Sequence, residues 1–583
     1  MRFAAANIRQ SEADGPEPVA QRAPGGADYP AVGQLDQSIE AYRRYIADIE
    51  SGGATDLSAK AMAGLYCNLA NAALAHGDLT LAAANYKSAL RLAPQLPGAW
   101  CNLGTVYVRQ GYAEQAIAFY LQALSIDRGH WPSRTNLAQA LIATKQFAIA
   151  LALLLELTTE RPDDASVRKE LGKLHLELND VDLALECFNQ AAALNPYDAE
   201  TIYWIGGLRQ QKGELEAAAA AYLVACDLQP LIKRPATDRA ASLQVLVLYA
   251  PFAGNTPPGY LLQGSAYETN TLAVLDGREY DLGLMRQSGQ VVVNLISDAD
   301  QAEEVLPTVA FLVDRLGMPI VNHPEKILRT TREGVARLLD GIPGCRIPKI
   351  LRYVSEDVGP PTLRDAIAAF AMPMLARPAG THGGDDFEKL ESLDEIAAFV
   401  GQHPGCDHYL IEYVDYRSLD GYFRKYRFVF IGGEILPYHL AIGTDWKLHH
   451  DNTRMADFLW MQQEEERFLA DPTSTFNAGH YEVLRTISEV VDLEYFGIDC
   501  GLDAEGNIVV FEANASMLVH AHNEKFPYKA PYVQRIKASF DGLLLRLANG
   551  SAGARIDELL SQLNRQANLA DRFPSYQSQL DLA

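Results

Sequence analysis

Proline recurs in the first half of the chain at one fixed interval: Pro162, Pro196 and Pro230 stand 34 residues apart, Pro94 lies on the same grid, and Arg128 takes the skipped position. Counted from Ala63, Pro97, Trp131, Ala165 and Ala199, the grid places Ala82, Ala116, Ala150, Ala184 and Ala218 in one column. Tyr86, Tyr120, Leu154, Phe188 and Tyr222 fill a second, and Leu69, Leu103, Leu137, Leu171 and Ile205 a third. Small residues facing large ones are what two antiparallel helices need where they cross closely. Gly77, Gly111 and Gly213 fall where the first helix of each pair has to end, in the left-handed backbone that glycine adopts most readily. Such a chain folds as stacked helical hairpins, each burying its apolar face on the next.

These columns resemble the tetratricopeptide repeat, with five repeats fitting between residues 63 and 232. The resemblance implies an all-α superhelix over residues 35–235, capped by one or two helices between Leu35 and Met62. Its concave groove would take a peptide or protein segment. A purely structural or dimerising use of the stack is the alternative, and it would make the protein a homo-oligomer.

Acidic residues number 74 and basic residues 50, for a formal net charge of -24. That balance offers nothing to phosphate backbones or anionic lipid, which reward clustered lysine and arginine. Nucleic acid and membrane partners are therefore not expected. No apolar run reaches the roughly 18 residues needed to cross a bilayer, and Met1 to Pro30 lacks the apolar core of a secretory signal, so a cytoplasmic setting is expected. Seven cysteines without a Cys-x-x-Cys pair read as small buried hydrophobes, not as a disulfide framework. Residues 1–34 read as a flexible arm and 549–583 as a short tail.

After Pro230 the period stops. Apolar segments of strand length follow at Leu243–Tyr249, Thr271–Leu275, Val291–Leu295 and Met318–Val321, with a helical pattern from Ala302 to Leu316. They predict a small α/β domain over residues 243–325. Further on, Tyr495-Phe-Gly-Ile-Asp499 and Ile508-Val-Val-Phe-Glu512-Ala-Asn514-Ala-Ser516 flank a turn at Asp503–Gly506. A four-residue loop there pairs Leu502 with Asn507 and Asp499 with Val510, and side-chain alternation puts Asp499, Glu512 and Asn514 on one face. Three oxygen donors suit magnesium, which binds through one or two carboxylates together with substrate phosphates. An edge hairpin with solvated acids is the plainer alternative.

The order Gly-x-Asp, hairpin, Glu-x-Asn-x-Ser resembles the metal motif of the ATP-grasp carboxylate-amine ligases, the superfamily of the glutathione synthetases and ribosomal-protein glutamate ligases. Other segments follow in that family's order. Val321-Asn-His-Pro-Glu-Lys leads to a helix bearing Arg332, and Met374-Leu-Ala-Arg377 runs into a turn with Gly383 and Gly384, whose backbone NH groups can approach phosphate closely. Glu412, Tyr413, Val414 and Asp415 resemble the adenine hinge. Arg424-Lys-Tyr-Arg427 precedes an apolar strand, and Arg427 takes the place of the arginine that contacts the transferred phosphate. His439, Trp446, Lys447, His449 and His450 correspond to the substrate loop. The sequence departs from the pattern in having arginine at 332 and 377, where lysine is usual, and Met517-Leu518 after Ser516, where Pro-Gly is usual.

The resemblance implies an α+β ATP-grasp domain over residues 326–548, with ATP and magnesium as cofactors and an amino acid or other amine as the small partner. Asp499, Glu512 and Asn514 would hold the metal, Arg332 and Arg377 the phosphates, and residues 412–415 the adenine. His439, Lys447, His449 and His450 would contact substrate. Arg424 and Lys425 read equally well as a solvated turn, and the histidine-rich loop as incidental. Three activities stay open: a ligase acting on a peptide or protein, a small amino-acid ligase or kinase whose repeats dimerise, and a repeat scaffold with an inactive nucleotide-sensing domain.

Overall fold

The structure, a computed structural model, describes residues 32–550 apart from 52–56, 235, 237–242, 257–260, 263–266, 355–362, 380–385, 404, 449–452, 521–522 and 524. Among the described residues no helix is long and apolar enough to cross a membrane. The chain divides into two compact units, Met1–Pro230 and Leu231–Ala583.

In the first unit a single helix, α1 (Val32–Glu50), precedes five helical hairpins. They pair α2 (Ala59–His76) with α3 (Leu79–Leu92), α4 (Pro97–Arg109) with α5 (Ala113–Ile126), and α6 (Trp131–Ala143) with α7 (Phe147–Glu160). The last two pair α8 (Ala165–Glu177) with α9 (Val181–Leu194) and α10 (Ala199–Gln211) with α11 (Leu215–Leu228). Four of the five first helices begin at the residue the grid names. The exception, α2, begins at Ala59 and not at Ala63, because the Ser58 side chain accepts the Ala61 NH and caps it there. Only α1 caps the stack, burying Ile39 and Ile46 against Leu69 and Ala72.

The hairpin turn dictates backbone geometry more strictly than sequence. Gly77, Gly111 and Gly213 have φ of 86°, 87° and 78°, and the two intervening repeats place Lys145 and Asn179 in the same left-handed region at 61° and 62°. The close helix crossing also differs from expectation. The alanine column is fully buried, but the residues beneath the aromatic rings are glycines on the first helices: Gly104 under Tyr120, Gly172 under Phe188 and Gly206 under Tyr222. A Cβ on Gly104 would lie 2.5 Å from the Tyr120 ring.

The second unit is a mixed α and β region with three sheets among its described residues. The first runs β1 (Ile232–Arg234), β3 (Glu268–Ala273), β2 (Gln244–Tyr249), β4 (Val291–Asn294) and β5 (Ile320–Val321). It is parallel except for β1, a short polar strand that the hydrophobic pattern did not indicate. The helices α12 (Leu282–Gln287) and α13 (Leu306–Leu316) belong to this layer, and α13 starts later than Ala302 because Pro307 favours the first turn. After α14 (Pro324–Leu328) and α15 (Arg332–Leu339) comes an antiparallel sheet ordered β7 (Ile350–Tyr353), β10 (His408–Glu412), β8 (Met374–Pro378) and β9 (Glu388–Leu390).

The third sheet runs β12 (Glu434–Gly443), β11 (Phe423–Ile431), β13 (Tyr495–Leu502), β14 (Ile508–Asn514) and β6 (Cys345–Arg346). The shorter helices α16 (Leu363–Ala366) and α17 (Leu393–Gln402) precede it, and α18 (Leu459–Ala470) and α19 (Ala478–Val491) lie between its strands in sequence. One face of β11 sets Phe428 against Phe468 and Phe476, and stacks Phe430 on Phe496 with ring centroids 4.4 Å apart. Val429 and Ile431 on the other face join a cluster with Ile536, Phe540 and Leu544 of the helical residues 530–550. Covered on both faces, β13 is buried from Tyr495 to Gly501, so an ionised side chain in it needs an internal partner.

Gly104→Val should cost about 1–3 kcal/mol through overpacking against Tyr120, whereas Gly64→Ala in α2, with nothing within 4 Å of the added Cβ, should gain up to about 1 kcal/mol. Urea unfolding followed by helical circular dichroism checks both; equal effects of the two substitutions would contradict the close crossing.

Candidate functional site

The hairpin of β13 and β14 departs from the expected register in two ways that decide the site. Asp503 Oδ1 accepts the NH groups of Glu505 at 3.1 Å and Asn507 at 2.7 Å, and Gly506 has φ of 81°. These bonds draw Asn507 into the loop, so Leu502 pairs with Ile508 and not with Asn507. Further along, Cys500 pairs with Val510 but Asp499 pairs with Glu512, leaving Phe511 as a bulge. Directly opposed residues share a face. Without the bulge Asp499 would oppose Phe511, and Glu512 would point away; with it the two carboxylates face each other. Phe511 packs instead on Tyr416, ring centroids 4.6 Å apart.

Cations from three elements meet these carboxylates. On β11, Arg427 donates two bonds to Asp499, Nε to Oδ1 at 2.5 Å and Nη2 to Oδ2 at 2.9 Å, and Lys425 Nζ lies 3.2 Å from Oδ2. Burial pushes the Asp499 carboxyl up, but Arg427 and then Lys425 outweigh it and hold Asp499 well below the usual carboxylate range. Burial disfavours the Arg427 charge too, and Asp499 more than restores it. From the first turn of α15, Arg332 Nη2 reaches Glu512 Oε1 at 3.3 Å. That turn is fixed by Thr331, whose Oγ1 accepts the Gly334 NH at 3.0 Å, and by Gly334, where a Cβ would collide with Arg329 O. Asn514 Nδ2 lies 3.4 Å from Glu512 Oε1, while its Oδ1 accepts the Ser516 NH and hydroxyl at 2.7 and 2.6 Å. Arg332, Glu512 and Asn514 line a cleft of about 50 Å³ with Asp298, Asp300 and Thr331.

Arg424 and Lys425 do not form a solvated turn: both lie in β11, where Arg424 bonds Asp420 and Glu464 and Lys425 meets Asp499. A second group surrounds Phe387. Arg377, 5% exposed at the end of β8, lies 5.5 Å from the Phe387 ring, and Lys447 Nζ donates to Phe387 O at 2.9 Å. The Tyr413 ring sits against Lys389 at 4.3 Å and Trp446 at 6.2 Å. Within the expected hinge, Glu412 gives its NH to Lys349 O at 2.8 Å, so that NH cannot also serve a base. Its carboxylate accepts from Arg346 and the Lys349 NH, Val414 is buried, and Asp415 accepts the Arg417 NH. Gly383, Gly384, His449 and His450 lie outside the described residues.

His439 on β12 is directly opposite Arg427, and behind it lies a network that the sequence reading missed. Glu465 of α18, 0% exposed, contacts His439 Nδ1 at 2.5 Å, Lys529 Nζ at 2.9 Å and the Tyr528 hydroxyl at 2.5 Å. Burial raises its carboxyl, but the bond and charge of His439, with Lys529 and Tyr528, bring it down to about 2. One signal was available: Glu465 falls on the stripe of Met461, Phe468 and Leu469 that α18 buries, where a lone acid calls for a cation.

Among the described residues no group of three or more His, Cys, Asp or Glu is arranged to hold a metal. Asp499 and Glu512 supply two carboxylates, and Asn514 an amide. An all-oxygen set with few carboxylates fits magnesium, which completes its shell with phosphate and water, and excludes a thiolate or imidazole cage.

Family models match three successive stretches of the helical unit: a TPR repeat at residues 70–111, and tetratricopeptide repeats at 109–174 and 170–231. Residues 70–231 are tetratricopeptide repeats, followed by a mixed helix and sheet region. Among solved structures, MamA 41-end from Desulfovibrio magneticus RS-1 is 21% identical with a TM-score of 0.26, covering 29% of this chain and 94% of its own. YrrB, described as a TPR protein with an unusual peptide-binding site, is 24% identical, covers 33% and 94%, and has a TM-score of 0.25. The Pseudomonas aeruginosa pilF structure is 21% identical, covers 33% and 78%, and has a TM-score of 0.26. Comparison with curated proteins gives no match.

Asp499→Asn should destabilise the second unit by about 3 kcal/mol, because it strands Arg427 and Lys425. Asp420→Asn, whose side chain is 48% exposed, should cost less than about 1 kcal/mol; thermal unfolding of the two variants compares them. A carboxyl depressed in the folded state contributes stability above its unfolded value and loses it as pH falls. The Glu465 contribution should therefore be present above pH 4.5 and fade toward about 2. Acid unfolding of Glu465→Gln should lack that step.

Proposed function

We propose that the second unit is an ATP-dependent carboxylate-amine ligase and that the repeats dock its peptide or protein substrate. The observation that carries the reading is the bulge at Phe511, which sets Asp499 and Glu512 face to face with a guanidinium against each. Three cations, Arg427, Lys425 and Arg332, meet these two carboxylates, which leaves positive charge for phosphate. Phosphoryl transfer depends on positioned charge and needs no protein nucleophile.

In this reading Asp499, Glu512 and Asn514 hold magnesium, which when bound neutralises charge on the phosphates. Arg332 and Arg377 hold phosphate oxygens, Tyr413 and Val414 face the adenine, and Arg427 steadies the phosphate in transfer. A substrate carboxylate takes the γ-phosphate of ATP, and an amine then displaces phosphate to form a C–N bond. Support for the repeats as the docking element is their stacking, which leaves an extended concave surface.

One observation favours a second reading, a repeat scaffold whose second unit binds nucleotide without turnover: both oxygens of Asp499 already have cationic partners. Equilibrium ATP binding with and without magnesium addresses the site itself. The wild-type chain should bind about tenfold tighter with the metal, and Glu512→Gln should lose that dependence while staying folded. Mass spectrometry of products from ATP and a pool of amino acids and peptides then separates the activities. An amide product supports the ligase, a phosphorylated alcohol a kinase, and nucleotide binding without product the scaffold.

A further inference from the structure

His439 has a nitrogen whose chemistry its surroundings define. Glu465 is ionised, and its Oε1 lies 2.5 Å from Nδ1. Two lone pairs at that separation would repel, so Nδ1 carries a proton and donates it to the carboxylate. Lys529 Nζ, 2.9 Å from the same nitrogen, finds its acceptor in Glu465 Oε1, also at 2.9 Å. Leu440 NH and the Tyr528 hydroxyl complete the hold on Glu465 at 3.2 and 2.5 Å.

A neutral imidazole has a single N–H, so Nε2 is left as a bare lone pair. The ring stays neutral because burial, then the Lys529 ammonium, and also Arg427 across the strand, oppose protonation more than Glu465 favours it. The side chain is 26% exposed. Its strand partner is Arg427, which places the two Cβ atoms about 5 Å apart on one face. A buried carboxylate thus fixes the tautomer of a half-exposed imidazole beside the arginine assigned to the phosphate in transfer.

We propose that His439 Nε2 is the base that takes the proton of the attacking amine, with Glu465 and Lys529 as positioning residues. The inference rests on the ligase reading. In the step concerned the amine nitrogen forms the C–N bond to the acyl carbon, and the C–O bond to phosphate breaks with its electron pair leaving on inorganic phosphate. The N–H proton passes to Nε2. The substrate class is a primary amine, which water keeps protonated at neutral pH and which must shed a proton to react.

Two measurements on the full chain test this. Nitrogen-15 NMR of histidine-labelled wild-type protein should show His439 at neutral pH with the proton on Nδ1; an Nε2–H tautomer or an imidazolium would overturn the proposal. Turnover with ATP, magnesium and a pool of amino acids and peptides is then followed by mass spectrometry with two probe amines. Hydroxylamine is largely unprotonated at neutral pH, and methylamine is not. His439→Gln should lose roughly 100-fold more rate with methylamine than with hydroxylamine, and the wild-type methylamine rate should fall as acid protonates the imidazole. Equal losses with both amines sink this proposal while leaving the ligase in place. No product from the wild type with either amine sinks the ligase reading, and this inference with it. If His439→Gln does not fold, the wild-type tautomer and pH profile decide.

Discussion

A carboxylate buried in the middle of a sheet cannot stay ionised without a cation, and the pairing of Asp499 with Arg427 answers that constraint in the second unit. Asp499 is 5% exposed on a strand covered on both faces. Its partner comes from the adjacent strand β11, directly opposite in register, so the two central strands of the third sheet are locked by a bidentate ion pair as well as by their ladder. A buried pair of this kind contributes little net stability against an apolar replacement, because desolvation offsets the attraction. Its presence, with Lys425 as a third charge and Glu512 facing it across the bulge, is better accounted for by chemistry than by folding.

The charges around that pair form a connected series. Arg332 meets Glu512 from α15, Asn514 reaches the same carboxylate, and His439 stands opposite Arg427 with Glu465 and Lys529 behind it. Each cation is brought to its acid by a different element, so the arrangement depends on tertiary structure and not on one local motif. The helical unit obeys a different economy. Its helices are held by repeated crossings in which an aromatic ring covers a glycine, and by turns that force a left-handed residue whether or not glycine is present, as Lys145 and Asn179 show.

Much of this was legible in the sequence, for identifiable reasons. A 34-residue repeat states its own period, so most helix starts in the first unit could be read to the residue, while Ala59 could not because a single serine cap moved it. Strands β2 and β4 were visible as apolar runs, but β1 is Ile-Lys-Arg and carries no such pattern. The shared face of Asp499, Glu512 and Asn514 followed from alternation. The means by which they share it did not, because the Asp503 side chain lengthens the loop and Phe511 adds the bulge, and the two shifts combine to oppose Asp499 and Glu512 directly. Lys529 and Tyr528 lie far along the chain from His439 and Glu465, and only the fold reveals their meeting.

The central claim, that the Asp499 and Glu512 face is built to receive a metal-bound nucleotide, is tested most directly by a crystal structure of the protein grown with a non-hydrolysable ATP analogue and manganese. The account predicts an anomalous manganese peak within about 2.2 Å of oxygens of Asp499 and Glu512, with the Arg332 or Arg427 guanidinium turned toward the phosphates. Nucleotide and metal bound elsewhere, with Arg427 still bidentate on Asp499, would contradict it.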